Sequence, residues 1–373
     1  MASSLQTNRV IIHVDFDYFY AQCEARENPS LKDRPIVVCV YSGRGEDSGA
    51  VATANYAARK YGVKSGIPII QAKRKLKGVD AAFLPVNFDL YDRVSENIMN
   101  ILRGHAERFE QVGIDEAFLD VTVKVEGDFA KVTQLALEIQ NDIMAKERIT
   151  VSVGVGPNKL VAKIAAGRQK PFGLTVVRPE EVEAFLGPLP VNELLGVGRK
   201  TVVVMQEMGA NTIDDLAKFD LDKMMRRFGK VLGVYFYNSA KGIDASPVQE
   251  RGMAESISHI PTLKEDTRDL DTILEEAYKV CTEVFERAGE LKLSFKTITA
   301  QLVLQDMSTP SRSRTFEAPV EDLEALKATV KEIFQKLSVE VPAELKARRI
   351  GVKISNFSTT RQAQKHITEF TTR

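Results

Sequence analysis

Short apolar runs alternate along the chain with longer amphipathic stretches. Val10–Val14 (VIIHV) is an apolar run that predicts a buried strand ending at Asp15. Ile36–Val40, after Arg34-Pro35, predicts a second strand. The alanine-rich stretch Ser48–Tyr61 predicts a helix stopped by Gly62. Ser65-Gly66-Ile67-Pro68 punctuates, and a polar helix is expected to run on to about Lys77. Asn87–Phe109 predicts a helix, and Phe109–Gly113 and Ala117–Thr122 predict two strands around Ile114-Asp115-Glu116. Phe129, Val132, Leu135, Ile139 and Ile143 recur at helical spacing within Asp128–Lys146. Thr150–Val155 predicts another strand, with Pro157 opening the next helix at its first position. The order β…αββαβ is the split βαβ, or ferredoxin-like, arrangement, with about Phe19–Pro85 inserted after its first strand.

Glu180–Lys241 predicts several short helices broken by Gly196, Gly198, Gly209, Gly229 and Gly242, and the linker GIDASPVQERG follows. Beyond it the expected order is a strand at about 252–260, a helix at 268–289, strands at 295–305 and 311–316, a helix at 320–337 and a strand at 348–357. This second βαββαβ carries no detectable sequence repeat of the first and predicts two helices on one face of a sheet. The last fifteen residues, TTRQAQKHITEFTTR, have no partner strand and read as a tail. The fold class is α+β.

Composition narrows the function classes. A chain of 373 residues suggests two to four domains at ~100–200 residues each. Lys+Arg and Asp+Glu are both 51, which excludes a globally basic or acidic chain, and 44% hydrophobic with 27% charged residues excludes wholesale disorder. No apolar run approaches the ~18 residues of a membrane span, so no membrane partner is expected. The first nine residues lack an apolar core, so no secretory signal is expected either. Cys23, Cys39 and Cys281 are odd in number and widely spaced, which argues for free thiols in a reducing compartment and a cytoplasmic protein. The four histidines lie far apart, so zinc is disfavoured and any metal should take oxygen ligands, as magnesium, calcium and manganese do.

The sharpest chemical signal is acidic. Asp15 closes an apolar strand, and Asp115-Glu116 sits in a tight turn between two more. Taken singly these read as a strand-end acid and a solvated turn. In a ferredoxin-like sheet, however, the strands concerned are central neighbours, so three carboxylates are expected to converge. Like charges at that spacing repel, and divalent cations resolve the conflict. Two such ions clamp the attacking and leaving oxygens of an in-line phosphoryl displacement. Asp17 shares the face of Asp15 by period-two alternation, either as a further ligand or as an acid behind the ligands. Tyr18-Phe19-Tyr20 either packs the insertion onto the sheet or supplies a ring that floors a substrate pocket. Thr53, Tyr56 and Arg59 are expected on one helix face, suited to phosphate oxygens or simply solvated, and Lys159, Lys163 and Lys170 add positive charge. Leu195-Gly196-Val197-Gly198 before a helix is the hairpin of a helix-hairpin-helix, whose glycines let backbone amides approach a DNA phosphate.

Together these residues resemble the Y-family DNA polymerases, the translesion enzymes of the DinB (DNA polymerase IV) type, and the archaeal branch in particular. The resemblance covers about residues 9–357 and rests on VDFDYFYAQCE, NPSLKDRPIVVCVYSGRGEDSGAVATANYAARKYGVKSGIPI, GIDEAFLDVT, VSVGVGPNKLVAKIAAGRQKPFG and LLGVGRKT in order. It implies a right-hand polymerase with a βαββαβ palm (1–18 and 86–175), fingers (19–85) and a helix-hairpin-helix thumb (176–241). A linker (242–252), a βαββαβ little finger (253–358) that binds DNA, and a tail (359–373) complete the chain. Asp15, Asp115 and Glu116 match the catalytic metal ligands, with the backbone carbonyl of Phe16 as a further one, for two magnesium ions that manganese or calcium replace in binding. Phe19, Tyr20, Thr53, Tyr56, Arg59 and Lys170 match the dNTP-binding positions, Tyr20 being the steric gate against a ribose 2′-hydroxyl. Val40, Ala50, Ala52 and Gly66 match the roof of the nascent pair, where small side chains imply low fidelity and lesion bypass.

The implied activity is template-directed transfer of a nucleotide from dNTP to a primer 3′-hydroxyl with release of pyrophosphate, by a monomer on primer–template DNA. Gly196, Gly198, Arg312, Arg314, Arg349 and Lys353 are the expected DNA contacts, the last two on an open sheet face with Thr297, Thr299, Gln301 and Ser355. Gln364, Ile367 and Phe370 resemble a sliding-clamp peptide, with Thr371 at the place of its usual second aromatic residue. A nucleotide cyclase shares the palm and its two metals but needs neither the thumb hairpin nor a second DNA-facing domain. A DNA-binding accessory protein with a decayed core is the non-enzymatic alternative.

Overall fold

The computed structural model describes residues 9–250, 252 and 254–359. Contacts divide the chain into two compact units: Met1–Val40, Val51–Ile67 and Gln71–Arg251, and then Tyr41–Ala50, Pro68–Ile70 and Gly252–Arg373. In chain order, the first elements are β1 (Ile11–Phe16), α1 (Phe19–Glu27), β2 (Ile36–Tyr41), β3 (Gly49–Ala54), α2 (Tyr56–Arg59), α3 (Ile69–Lys75) and β4 (Ala82–Pro85). They are followed by α4 (Phe88–His105), β5 (Arg108–Gln111), β6 (Glu116–Asp120), α5 (Phe129–Glu147), β7 (Val151–Gly156), α6 (Lys159–Ala166) and β8 (Leu174–Val176).

The central sheet runs β5-β6-β1-β7-β8, and its first four members have the ferredoxin-like order. Period-two alternation sets the two faces of β1. Ile12, Val14 and Phe16 enter the large core with Leu90, Val94 and Ile98 of α4 and Val132, Ile139 and Ile143 of α5. The other face carries Ile11, His13 and Asp15, with Ile11 packed on Ala162 of α6. Both long helices are capped by side chains: Asn87 accepts from the Leu90 amide at 3.1 Å and Asp128 from the Ala130 amide at 2.7 Å.

The contact between α6 and the sheet depends on Gly154. A Cβ there would lie 2.1 Å from the Ala162 carbonyl oxygen and 2.2 Å from the Ala166 nitrogen, and neither backbone atom can give way. Gly154→Ala should cost about 3 kcal/mol, measured as a lower midpoint of thermal unfolding.

Two local expectations need correction. Ser48–Tyr61 is not one helix: Gly49–Ala54 forms β3 of the three-stranded sheet β3-β2-β4, and only Tyr56–Arg59 is helical. Sheet pairing overrides the helical preference of alanine. Asn55 makes the switch: its Oδ1 accepts from the Ala58 and Ile36 amides, both at 3.0 Å, and its Nδ2 donates to the Arg34 carbonyl at 2.8 Å. Pro157 does not open α6 either. Asn158 caps that helix, accepting from the Val161 amide at 3.0 Å, and the proline precedes the cap.

The helical segment that follows comprises α7 (Val182–Leu186), α8 (Arg199–Glu207), α9 (Ile213–Ala217) and α10 (Leu221–Ala240), around a core that includes Leu186, Val197, Met205, Ile213 and Phe236. The second unit holds β9 (Ser256–His259), β10 (Thr262–Thr267), α11 (Leu270–Glu290), β11 (Leu293–Leu304), β12 (Ser311–Val320), α12 (Leu323–Glu340) and β13 (Ala347–Thr359). Its strand order is β10-β13-β11-β12, with β9 also paired to β13, so it shares the element order of the first sheet but not its strand order. The strand expected at 252–260 is β9, and an additional strand, β10, follows it beyond Ile260-Pro261, where proline has no amide to donate. Apolar residues of α11 and α12 share one core with Ile298, Ala300, Leu302 and Leu304, so both helices cover the same face. No helix among the described residues is long and apolar enough to cross a membrane. Cys23, Cys39 and Cys281 are all buried.

Candidate active site

The antiparallel register of β1 and β6 sets Asp15 directly opposite Glu116. Asp115 lies in the preceding turn, and its carbonyl accepts from the Phe16 amide at 2.8 Å. The ends of two central strands thus carry all three expected acids and the Phe16 backbone. Helix α6 crosses the same face and brings Lys163 to Glu116, and the turn after it brings Lys170 to Asp15. His13, two residues before Asp15 and buried, places Nε2 3.4 Å from Glu116 Oε2 and its ring 4.5 Å from that of Phe118.

This geometry divides the acids electrostatically. The His13 contact, and then the Lys163 ammonium, hold the Glu116 carboxyl at about 2 against the effect of burial. Burial holds the His13 ring below its ordinary range. Asp115 makes no ion pair among the described residues, and burial followed by the charges of Asp15 and Glu116 pushes its carboxyl up.

Among the described residues no three acid, histidine or cysteine side chains converge closely enough to hold a metal ion, because Asp15 and Glu116 turn towards lysines. The donor set still fits a hard divalent cation. All its atoms are carboxylate or carbonyl oxygens, and Asp115 is a buried acid raised by its two neighbours, a conflict that a cation relieves.

A depressed carboxyl stabilises the fold above its unfolded pKa and loses that contribution as pH falls through its folded value. In EDTA, Glu116→Gln should therefore melt below wild type at pH 7, and the gap should close between pH 4.5 and about 2.

Aromatic residues border the acids. Phe19 is buried in the core, while Tyr20 stacks on Tyr91 at 4.2 Å and 9° and meets Phe88 edge-on at 6.4 Å. Burial, and then the charge of Asp115, raise the Tyr20 hydroxyl, which ties this ring to the acidic site. Tyr18 meets Tyr56 edge-on at 5.2 Å. The Arg59 guanidinium lies 4.9 Å from the Tyr56 ring, and its Nε donates to the Ala54 carbonyl at 2.8 Å. Thr53 is on β3 and not one helical turn before Tyr56, so the expected shared helix face is corrected to a strand followed by a helix start. Asp17 is buried, and burial raises its carboxyl above the usual range.

Three family models divide the chain: impB/mucB/samB family at residues 14–167, its C-terminal domain at 254–367, and the DNA polymerase-iota thumb domain at 192–244. A DNA polymerase IV of Nitrosopumilus maritimus is 44% identical over 363 residues, 97% of this chain and 99% of the relative. The chain belongs to the Y-family of DNA polymerases, in its DinB/impB branch. A DNA polymerase IV of Saccharolobus solfataricus is 41% identical over 348 residues, covering 93% of this chain and 96% of its own length. Among solved structures, a Y-family DNA polymerase chimera, Dbh-Dpo4(243-245)-Dbh, matches with a TM-score of 0.87 at 38% identity over 93% of this chain and 98% of its own. An insertion ternary complex of Dbh DNA polymerase matches over the same shares at 38% identity with a TM-score of 0.66.

Other expected positions of this Y-family chain are spread over its elements. Val40, at the end of β2, is 46% exposed, and Ala52 lies on β3. Gly66 has φ +85° and nothing within 4 Å of where a Cβ would stand. Ala50 belongs to the second unit, where it bridges Pro68. In the thumb, Gly196 takes φ +78° and Gly198 caps α8, while Tyr235 donates to the Leu195 carbonyl at 3.0 Å and braces the turn. The break expected at Gly229 falls inside a longer helical segment. Within α10, Gly229 (φ +79°) separates two helical stretches, with Lys230 just after it and Val231 81% exposed.

In the second unit the register of β11 with β12 and β13 sorts the basic residues. Lys353 opposes Thr299 and Arg349 opposes Val303, on the face away from the helices, where Thr297, Gln301 and Ser355 also lie. Arg312 opposes Ala300 and Arg314 opposes Ile298, both core residues, so this pair lies on the helix-covered face. Arg312 pairs with Glu340 at 2.8 Å and Arg314 with Glu332 at 2.9 Å, both partners on α12. Arg312 and Arg314, expected as DNA contacts, thus take the face opposite Arg349 and Lys353 and are each paired to a carboxylate. Gln364, Ile367 and Phe370 lie outside the described residues.

Proposed function

We propose that the chain is a template-directed DNA polymerase that performs translesion synthesis at low fidelity, adding a nucleotide from dNTP to a primer 3′-hydroxyl and releasing pyrophosphate. The observation that carries this is the placement of Asp15 opposite Glu116, with Asp115 in the adjoining turn, beneath a lysine-bearing helix and turn. Asp15, Asp115, Glu116 and the Phe16 carbonyl would hold two magnesium ions, or manganese or calcium in binding. When bound, such ions lower the pKa of the attacking hydroxyl and offset charge on the leaving group.

The chain's own residues supply the rest. Lys170 and Arg59 carry charge for the triphosphate, and Tyr56 and Thr53 offer it hydroxyls. Phe19 is the buried base on which Tyr20 is set, and the Tyr20 ring excludes a ribose 2′-hydroxyl. Small residues at Val40, Ala50, Ala52 and Gly66 make few contacts that a wrong or damaged pair would lose, which is the physical basis of low selectivity. Amides at Gly196 and Gly198 approach backbone phosphates, and the open sheet face around Lys353 and Arg349 adds charge. The resemblance of the tail to a clamp peptide supports tethering to a sliding clamp, which raises effective concentration at the primer end. The same reading makes the protein a monomer on DNA, in the cytoplasm.

DNA affinity measured against salt tests the assignment of faces. Lys353→Ala should reduce the slope of log affinity on log salt by about 1, as expected for one lost phosphate contact. Arg312→Ala, which removes a residue paired to Glu340, should leave the slope unchanged. An equal loss from both variants would contradict the division. The catalytic half of the reading is tested by primer extension in magnesium, and stable DNA binding without extension would favour the accessory-protein alternative.

A further inference from the structure

Asp17 is 0% exposed, and none of the steps above uses it. It follows β1, and its backbone is held on both sides. Its amide donates to the Thr150 carbonyl at 3.1 Å, and its carbonyl accepts from Gln22 Nε2. Gln22 in turn accepts from the Thr150 amide at 2.9 Å. The carboxylate is therefore delivered from a fixed support.

Two of that carboxylate's hydrogen bonds come from different segments. Oδ1 accepts from Ser152 Oγ at 2.7 Å, and Oδ2 accepts from the Phe172 amide at 2.8 Å. Phe172 sits at φ +54°, a conformation that a bulky side chain seldom adopts without external support. The turn is also tight: a Cβ on Gly173 would stand 2.0 Å from the Gln169 carbonyl oxygen. The same turn carries Lys170, whose ammonium meets Asp15, two residues before Asp17. One short stretch of chain thus touches this turn at two points, with Asp15 at the lysine head and Asp17 at the backbone beneath it.

We propose that Asp17 is a positioning residue: through the Phe172 amide it fixes the turn that carries Lys170 and so keeps that ammonium aimed at the triphosphate of the incoming nucleotide. This rests on the assignment of Lys170 to the triphosphate. Asp17 touches neither substrate nor reacting atoms. Its substitution should weaken nucleotide binding more than DNA binding, and only through Lys170.

The test is a double-mutant cycle on Asp17→Asn and Lys170→Met. Asparagine keeps the size but sets an amide group against the Ser152 and Phe172 donors, which costs one charged hydrogen bond. Nucleotide affinity is taken from the nucleotide dependence of single-turnover addition, beside DNA affinity and thermal midpoint. Hydrogen exchange over residues 170–173 in the metal-free protein gives a readout independent of turnover. Asp17→Asn should weaken nucleotide affinity about tenfold, speed exchange in the turn, and leave DNA affinity unchanged. The double variant should be no worse than Lys170→Met alone. Ser152→Ala, a milder change that keeps the Phe172 bond, should shift nucleotide affinity in the same direction, again only when Lys170 is present. It carries the test if Asp17→Asn does not fold. Losses that multiply in the double variant, or equal losses of DNA and nucleotide affinity, would overturn the proposal. If Lys170→Met itself leaves nucleotide affinity intact, the assignment of Lys170 fails first, and the proposal fails with it.

Discussion

Asp115→Asn should make the metal-free protein more stable while cutting nucleotide addition at least ~10³-fold, a loss of about 4 kcal/mol in transition-state stabilisation. The stability half follows from the raised Asp115 carboxyl, whose causes are burial, then Asp15, then Glu116. A carboxyl raised on folding costs stability once it is ionised in the folded protein, and that cost vanishes below the pKa of the unfolded chain. In EDTA at pH 7 the asparagine variant should therefore melt above wild type, and the two should converge as pH falls below about 4. The activity half follows from the loss of one charged oxygen ligand. Glu116→Gln, at the paired acid, is expected to move stability the other way. Thermal unfolding in EDTA and single-turnover addition in magnesium measure the two halves. A lower midpoint in Asp115→Asn, or retained activity, would contradict the division of labour between the acids.

Tyr20→Ala should raise the ribonucleotide to deoxynucleotide ratio of kcat/KM by about 10²-fold. The Tyr20 ring is set by its stack on Tyr91 and its edge contact with Phe88. The ring is backed by Tyr91, and an oxygen added against such a ring costs about 2–3 kcal/mol. The ratio is internally normalised, so any stability lost with the Tyr91 stack does not enter it. Tyr20→Phe keeps the ring and should keep the ratio near wild type. If alanine and phenylalanine variants discriminate alike, the ring is not the gate.

The legibility of this fold in its sequence follows the range of the interactions. Asp15 was readable because it ends a five-residue apolar run, and the 114–116 turn because apolar strands flank it. The alanine-rich stretch misled because its structure is decided by a sheet partner and by Asn55, which bonds residues on both sides. The strand β10 at Thr262–Thr267 was not legible, because its polar sequence becomes a strand only by pairing with β13. The sequence marks Arg312 and Arg314 as basic but does not say which sheet face they take. The register that opposes them to Ala300 and Ile298 does. The pairing of Lys163 with Glu116, and of Asp17 with the Phe172 amide, joins residues 47 and 155 positions apart, beyond the reach of local pattern.

Primer extension on a defined template tests the central claim most directly. Wild type and the Asp115→Ala/Glu116→Ala double variant are compared with dNTPs and magnesium at matched DNA occupancy. The account predicts templated addition by wild type, abolished by EDTA, and none by the double variant despite intact DNA binding. Extension by both proteins, or by neither while DNA is bound, would contradict it.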